Sequence, residues 1–134
     1  MPQNTKLSNT LLHNLFALFF HCIIGILICL AIAAIFSVLI AYEKIDAKHI
    51  NLATFVSIYA GAFVSCYLTS RKFGKNIFSS LIQCITYLFI LFIIGAIMFS
   101  RLLPEHFPLS FFTAPISGAV TAAFLSALFK RKRR

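Results

Sequence analysis

The chain has 134 residues, of which 60% are hydrophobic and only 11% are charged, and its mean hydropathy is +0.95. Soluble domains are about 45–50% apolar and about 25% charged, so this composition excludes that class and indicates an integral membrane protein. The net charge of +9 does not indicate nucleic-acid binding, because the basic residues lie beside apolar stretches, where they face lipid and fix orientation.

Four uncharged, largely apolar segments follow one another along the chain. Each exceeds the roughly 18 residues that a membrane-spanning helix needs. The first run is too long for the bilayer, so residues 1–15 are predicted to form an interfacial lead-in. Pro115 is predicted to kink the fourth helix, and residues 130–134 form a basic tail. The predicted spans cover about residues 16–40, 50–70, 77–100 and 108–129.

Lysine and arginine are distributed unevenly between the two sides of these spans. One lies before the first span, three lie in the second loop and five in the tail, against two in the first loop and one in the third. The positive-inside rule therefore predicts a multi-pass protein of the cell membrane with both termini in the cytoplasm. The tail is also predicted to contact anionic lipid headgroups. Its residues are Lys130, Arg131, Lys132, Arg133 and Arg134.

Small residues recur at every fourth position in the first, second and fourth spans. Such stripes allow close helix packing in lipid, so we expect these three spans to pack tightly and the third to expose more side chain. A pore lined by the stripes is disfavoured, because no ionisable residue lies on them. The predicted packing residues are Gly25, Ala33, Ser57, Gly61, Ser65, Ala114, Gly118 and Ala122.

The two halves of the chain resemble each other in short stretches. His21–Ile23 is echoed by Gln83–Ile85, and Gly61–Ala62 by Gly118–Ala119. Two spans per unit would give parallel repeats about an axis along the membrane normal. Apolar helices also resemble one another by chance. The sequence therefore predicts an all-α membrane four-helix bundle and leaves open whether it is a duplicated pair of helical hairpins.

The spans contain few residues able to do chemistry. No Asp, Glu, Lys or Arg lies within them, which argues against a proton-coupled exporter that requires a membrane carboxylate. His21 and Gln83 are expected to form a hydrogen-bonded structural pair, with no contact or a transport role as the alternatives. The serines of the packing stripes have no histidine or carboxylate near them in sequence, so we expect no enzyme activity.

No metal or cofactor site is expected either. The four cysteines lie inside apolar stretches without the spacing of a metal site or a disulfide framework. The outer loops carry oxygen and nitrogen ligands suited to a divalent ion, but solvated loop charges are the commoner case. These loop residues are Glu43, Asp46, His49, Glu105 and His106.

The junction between the second and third spans carries a family resemblance. Ser65–Lys75, with its aromatic residue, basic pair and Gly-Lys step, resembles a family of small, uncharacterised four-span membrane proteins of Gram-positive bacteria, as does Ser117–Ser126. This resemblance implies a fold and no activity. Leu52-Ala53, followed by a small-residue helix ending in Arg71–Phe73, is similar to the GtrA-like family, which is linked to moving lipid-linked sugars across the membrane.

Two functions follow as expectations. The first is an accessory, assembly or structural membrane protein that contacts membrane lipids and a membrane-protein partner or further copies of itself. The alternative, implied by the second resemblance, is a GtrA-like transporter or flippase component for lipid-linked sugars.

Overall fold

The protein is an all-α bundle of four long helices, seen in a computed structural model that describes residues 2–73, 77–99 and 110–131. All four helices are long and apolar enough to cross a membrane, and no strand occurs in the described ranges. The predicted membrane four-helix bundle is therefore confirmed. Residues 100, 108 and 109 of the predicted spans lie outside the described residues. The helices are α1 (Pro2–Ala41), α2 (Ile50–Phe73), α3 (Ile77–Phe99) and α4 (Ser110–Arg131).

Helix α1 joins the predicted lead-in to the first span without a break. Its 40 residues correspond to roughly 60 Å of helix at 1.5 Å per residue. A hydrocarbon core is only about 30 Å thick. Helix α1 must therefore tilt or extend beyond the core.

Helix α1 ends in a Schellman motif. The amide of Glu43 donates to the Ile40 carbonyl and the amide of Lys44 to the Leu39 carbonyl, both at 3.0 Å. Glu43 adopts the left-handed conformation that this motif requires, with φ of 54°. A short 3₁₀ turn at Ala47–His49 then leads directly into α2.

Helix α2 lies at the centre of the bundle and packs against the other three helices. In the most apolar eighteen-residue stretch of each helix, 44% of the residues are buried in α2, 28% in α4, 22% in α3 and 6% in α1. The expectation that the third span exposes the most side chain is therefore wrong. Helix α1 is the most exposed, because it packs mainly against α2 and turns most of its large apolar side chains outward.

Two glycine contacts set how closely the helices approach α2. A Cβ placed on Gly25 of α1 would lie 2.6 Å from the carbonyl oxygen of Gly61. On α4, a Cβ placed on Gly118 would lie 2.9 Å from the carbonyl oxygen of Tyr59 and 3.2 Å from the Cβ of Ala62. Only glycine permits such close backbone approach. Helix α2 thus contacts α1 and α4 through different faces.

An aromatic row runs along α2 beside α4. Its ring centroids are 6.1 to 6.4 Å apart and nearly parallel. The hydroxyl of Tyr59 lies 2.9 Å from Oγ1 of Thr121 on α4. The hydroxyl of Thr121 itself donates to carbonyls of its own helix, so Tyr59 is the donor. The row consists of Phe55, Tyr59, Phe63 and Tyr67.

Helix α4 contains Pro115 in its interior. Proline there has no amide hydrogen for the carbonyl of Phe111. The ring of Pro115 is fully buried, so the gap in the hydrogen-bond ladder faces protein. The predicted kink at this position stays a prediction.

Candidate functional site

Most of the predicted packing residues lie in the interior, and one does not. Ala33 is exposed, because a groove separates this part of α1 from Ala53 and Ser57 on α2. In the described part of α1, the small-residue stripe meets α2 at Gly25 and Cys29, before the position of Ala33. The seven buried positions are Gly25, Ser57, Gly61, Ser65, Ala114, Gly118 and Ala122.

His21 is held against α2 by a hydrogen bond. Its Nδ1 lies 2.9 Å from Oγ1 of Thr69, and the Thr69 hydroxyl donates its own proton to the carbonyl of Ser65, 3.0 Å away. Thr69 can therefore only accept from the imidazole, so Nδ1 carries the proton and Nε2 is the acceptor in neutral His21. The tautomer is inferred from this network.

Gln83 of α3 is fully buried and bonds to both neighbouring helices. Its Nε2 lies 2.6 Å from Oγ of Ser65, 3.0 Å from Sγ of Cys22 and 3.3 Å from the carbonyl oxygen of Leu18. An amide has two N–H donors, so the shortest bond, to Ser65, is the dominant link. Oε1 of Gln83 has no partner among the described residues.

His21 and Gln83, both in the described part of the chain, do not form the expected pair. His21 bonds to Thr69 and Gln83 to Ser65, one turn apart on α2. Gln83 contacts Cys22, which is the residue after His21. The two side chains therefore lie at the same helix interface. Thr69 was not predicted as the partner of His21. The sequence does mark it as a packing residue, since it continues the small-residue stripe of α2 four residues after Ser65.

A second link joins α2 to α3 near the same level. The hydroxyls of Ser70 and Ser80 are hydrogen-bonded to each other, and the thiol of Cys66 lies 3.7 Å from the carbonyl of Ser80. All the linked side chains are buried. We call them the polar cluster: His21, Cys22, Ser65, Cys66, Thr69, Ser70, Ser80 and Gln83.

The chemistry of the polar cluster is that of helix association. It contains no carboxylate, because the three acidic residues of the chain all lie in the connections after α1 and α3. Hydrogen bonds between membrane helices are worth about 0.6 kcal/mol on average, and about 1.7 kcal/mol at most. Within the described residues, the cluster links α1 and α3 to α2 through hydrogen bonds between buried side chains.

In the part of the chain that the structure describes, no group of three or more His, Cys, Asp or Glu side chains is positioned to bind a metal ion. Among the loop residues considered above, Glu105 and His106 lie outside the described range. In the tail, Lys130 and Arg131 form the last turn of α4. Lys132, Arg133 and Arg134 lie outside the described residues.

Fold and cluster together define the class: a multi-pass membrane protein whose helices are joined by small-residue contacts and buried polar bonds. Comparison with family models, with curated proteins and with solved structures finds no match to this chain. The function of the protein is therefore inferred from the structure of the bundle.

Proposed function

We propose that this protein is an accessory, assembly or structural component of the cell membrane. Its partner is another membrane protein or a further copy of itself. The observation that carries the proposal is the use of its buried polar groups. His21 and Gln83, the strongly polar side chains inside the spans, each bond to a neighbouring helix of the same chain. Groups engaged in this way hold helices together, which favours a structural role over the binding of a substrate.

The proposal places both termini in the cytoplasm and the tail against anionic lipid. The uneven distribution of Lys and Arg supports this orientation. The resemblance of Ser65–Lys75 to small four-span proteins of Gram-positive bacteria supports the four-span fold on which the proposal rests. No enzyme activity and no cofactor belong to the proposal.

A GtrA-like transporter or flippase component is the second candidate. The pattern from Leu52-Ala53 to Arg71–Phe73 favours it. Transport through this chain predicts a cavity that reaches the middle of the bundle near His21 and Gln83. Gln83 is 0% exposed, and the close packing around it supports the accessory role instead.

Purification and reconstitution distinguish the two candidates. The tagged protein is extracted in mild detergent and compared with a Gly61→Leu variant, which disrupts the contact with α1. We expect the wild type, and not the variant, to co-purify with a reproducible membrane protein or to self-associate. In liposomes, the isolated protein should leave a fluorescent lipid-linked sugar analogue on its original leaflet. Translocation of the analogue by the isolated wild type would overturn the accessory role.

A further inference from the structure

A groove of about 730 Å³ lies along α1 at the end of the bundle where α2 finishes. This volume is within the range of about 300 to 1,000 Å³ found for small-molecule pockets. Its lining is mostly apolar and comes largely from α1. Three basic or imidazole side chains also line it: His13, His21 and Lys72.

The apolar wall of the groove has the shape of a stripe. Leu12, Phe16, Phe20 and Ile23 line it, and all are more than half exposed. At 1.5 Å per residue, positions 12 to 23 extend roughly 16 Å along the helix axis. An apolar surface of this length, to which Leu15 and Phe19 also contribute, suits an extended hydrocarbon chain lying along α1.

Among the described residues, no carboxylate is paired with the positive charge that Lys72 brings to the groove. Lys72 is exposed in the last turn of α2. The acidic residues Glu43, Asp46 and Glu105 belong to the connections after α1 and α3, whereas Lys72 precedes the connection after α2. The Asp46 carboxylate pairs with Lys48, at 3.0 Å. Lys72 is therefore available to an external anion.

We propose that this groove binds an anionic phospholipid. Its phosphate pairs with Lys72 and its acyl chain lies along Leu12, Phe16 and Phe20. In a phospholipid the acyl chain leads to the headgroup, and here the apolar stripe likewise leads to the cation of Lys72. Basic residues at a membrane surface attract anionic headgroups. With the proposed topology, a second copy of this chain in a parallel arrangement would bring no Asp or Glu side chain to Lys72. This inference does not depend on the proposed accessory role.

The test measures lipid retained by the purified protein. Protein is exchanged into detergent with either phosphatidylglycerol or phosphatidylcholine of the same acyl chains, and bound lipid is counted by native mass spectrometry. We expect the wild type to retain phosphatidylglycerol preferentially. Lys72→Gln should weaken that retention about fivefold, the effect of losing one basic residue near an anionic surface. Arg71→Gln is the matched control, since Arg71 is exposed but does not line the groove.

A second pair of variants tests the acyl-chain contact without disturbing the core. Phe16→Ser should reduce retention of phosphatidylglycerol, whereas Phe89→Ser, at a similarly exposed phenylalanine of α3, should not. Equal retention of the two lipids, equal losses in Lys72→Gln and Arg71→Gln, or a lipid-free dimer in place of a lipid-bound monomer would each overturn the proposal.

Discussion

Gly25 of α1 and Gly61 of α2 lie backbone to backbone, and a Cβ on either would stand 2.5 to 2.6 Å from the carbonyl oxygen of the other. Tyr87 of α3 closes the same contact, with its ring 3.1 Å from the Cβ position of Gly25 and its hydroxyl against Gly61. Three helices therefore meet at one point where no side chain separates the first two.

Adding a methyl group at this point should destabilise the bundle. Gly25→Ala or Gly61→Ala would force backbones apart at a cost of about 1 to 3 kcal/mol, which exceeds the gain of roughly 1 kcal/mol in helix propensity. Denaturation with sodium dodecyl sulfate, followed by circular dichroism, measures the free energy of unfolding. Ala31→Val, on the exposed side of α1, should leave it nearly unchanged. A raised unfolding free energy in either glycine variant would contradict the close contact.

The hydrogen bonds of Gln83 should contribute measurably to stability. Ser65→Ala removes the acceptor of the 2.6 Å bond, so the free energy of unfolding should fall by about 1 kcal/mol, because the amide of Gln83 on α3 loses its main partner. Thr86→Val on the same helix removes a hydroxyl that bonds only the Ile82 carbonyl of α3 itself and should have a smaller effect. Equal effects would show that Gln83 does not join the helices.

The hydroxyl of Tyr87 is expected to contribute nothing favourable. It is buried and pairs with no oxygen or nitrogen among the described residues. Its polar neighbour is the Cys29 thiol, which is a weak hydrogen-bond partner, and a buried hydroxyl that is poorly paired costs about 1 to 3 kcal/mol. Tyr87→Phe should therefore leave the melting temperature unchanged or raise it. Tyr59→Phe, which removes the bond to Thr121, should lower it. A clear loss in Tyr87→Phe would reveal a bound water or ligand at that hydroxyl.

The spans and the packing face of α2 could be predicted from the sequence, because apolar length and four-residue spacing are properties of the sequence of each single helix. The partners of His21 could not be predicted in the same way. Helical spacing identifies the face that carries Ser65 and Thr69, but not how far α1 is shifted along α2. The exposure of Ala33 could not be predicted for the same reason. A small residue permits close approach, but the position of the neighbouring helix determines where close approach occurs.

The basic tail should control the orientation of α4. Replacing Lys130 to Arg134 with Gln or Asn leaves four basic residues on the inner side against three outside, so the positive-inside bias nearly vanishes. Arg71, Lys72 and Lys75 still hold the central hairpin. We expect a mixed orientation of α4 alone, measured with a C-terminal protease-accessible tag. A C-terminus that stays fully cytoplasmic would assign the tail to lipid or partner binding.

The central claim, a four-span bundle with both ends in the cytoplasm, is tested most directly by cysteine labelling in intact cells. Single cysteines are introduced in a background lacking Cys22, Cys29, Cys66 and Cys84. Position 47 lies in the turn between α1 and α2, while positions 74 and 105 lie outside the described residues, in the second and third connections. A membrane-impermeant maleimide should label Ala47→Cys and Glu105→Cys from outside, and Gly74→Cys only after permeabilisation. Labelling of Gly74→Cys in intact cells would contradict the proposed topology.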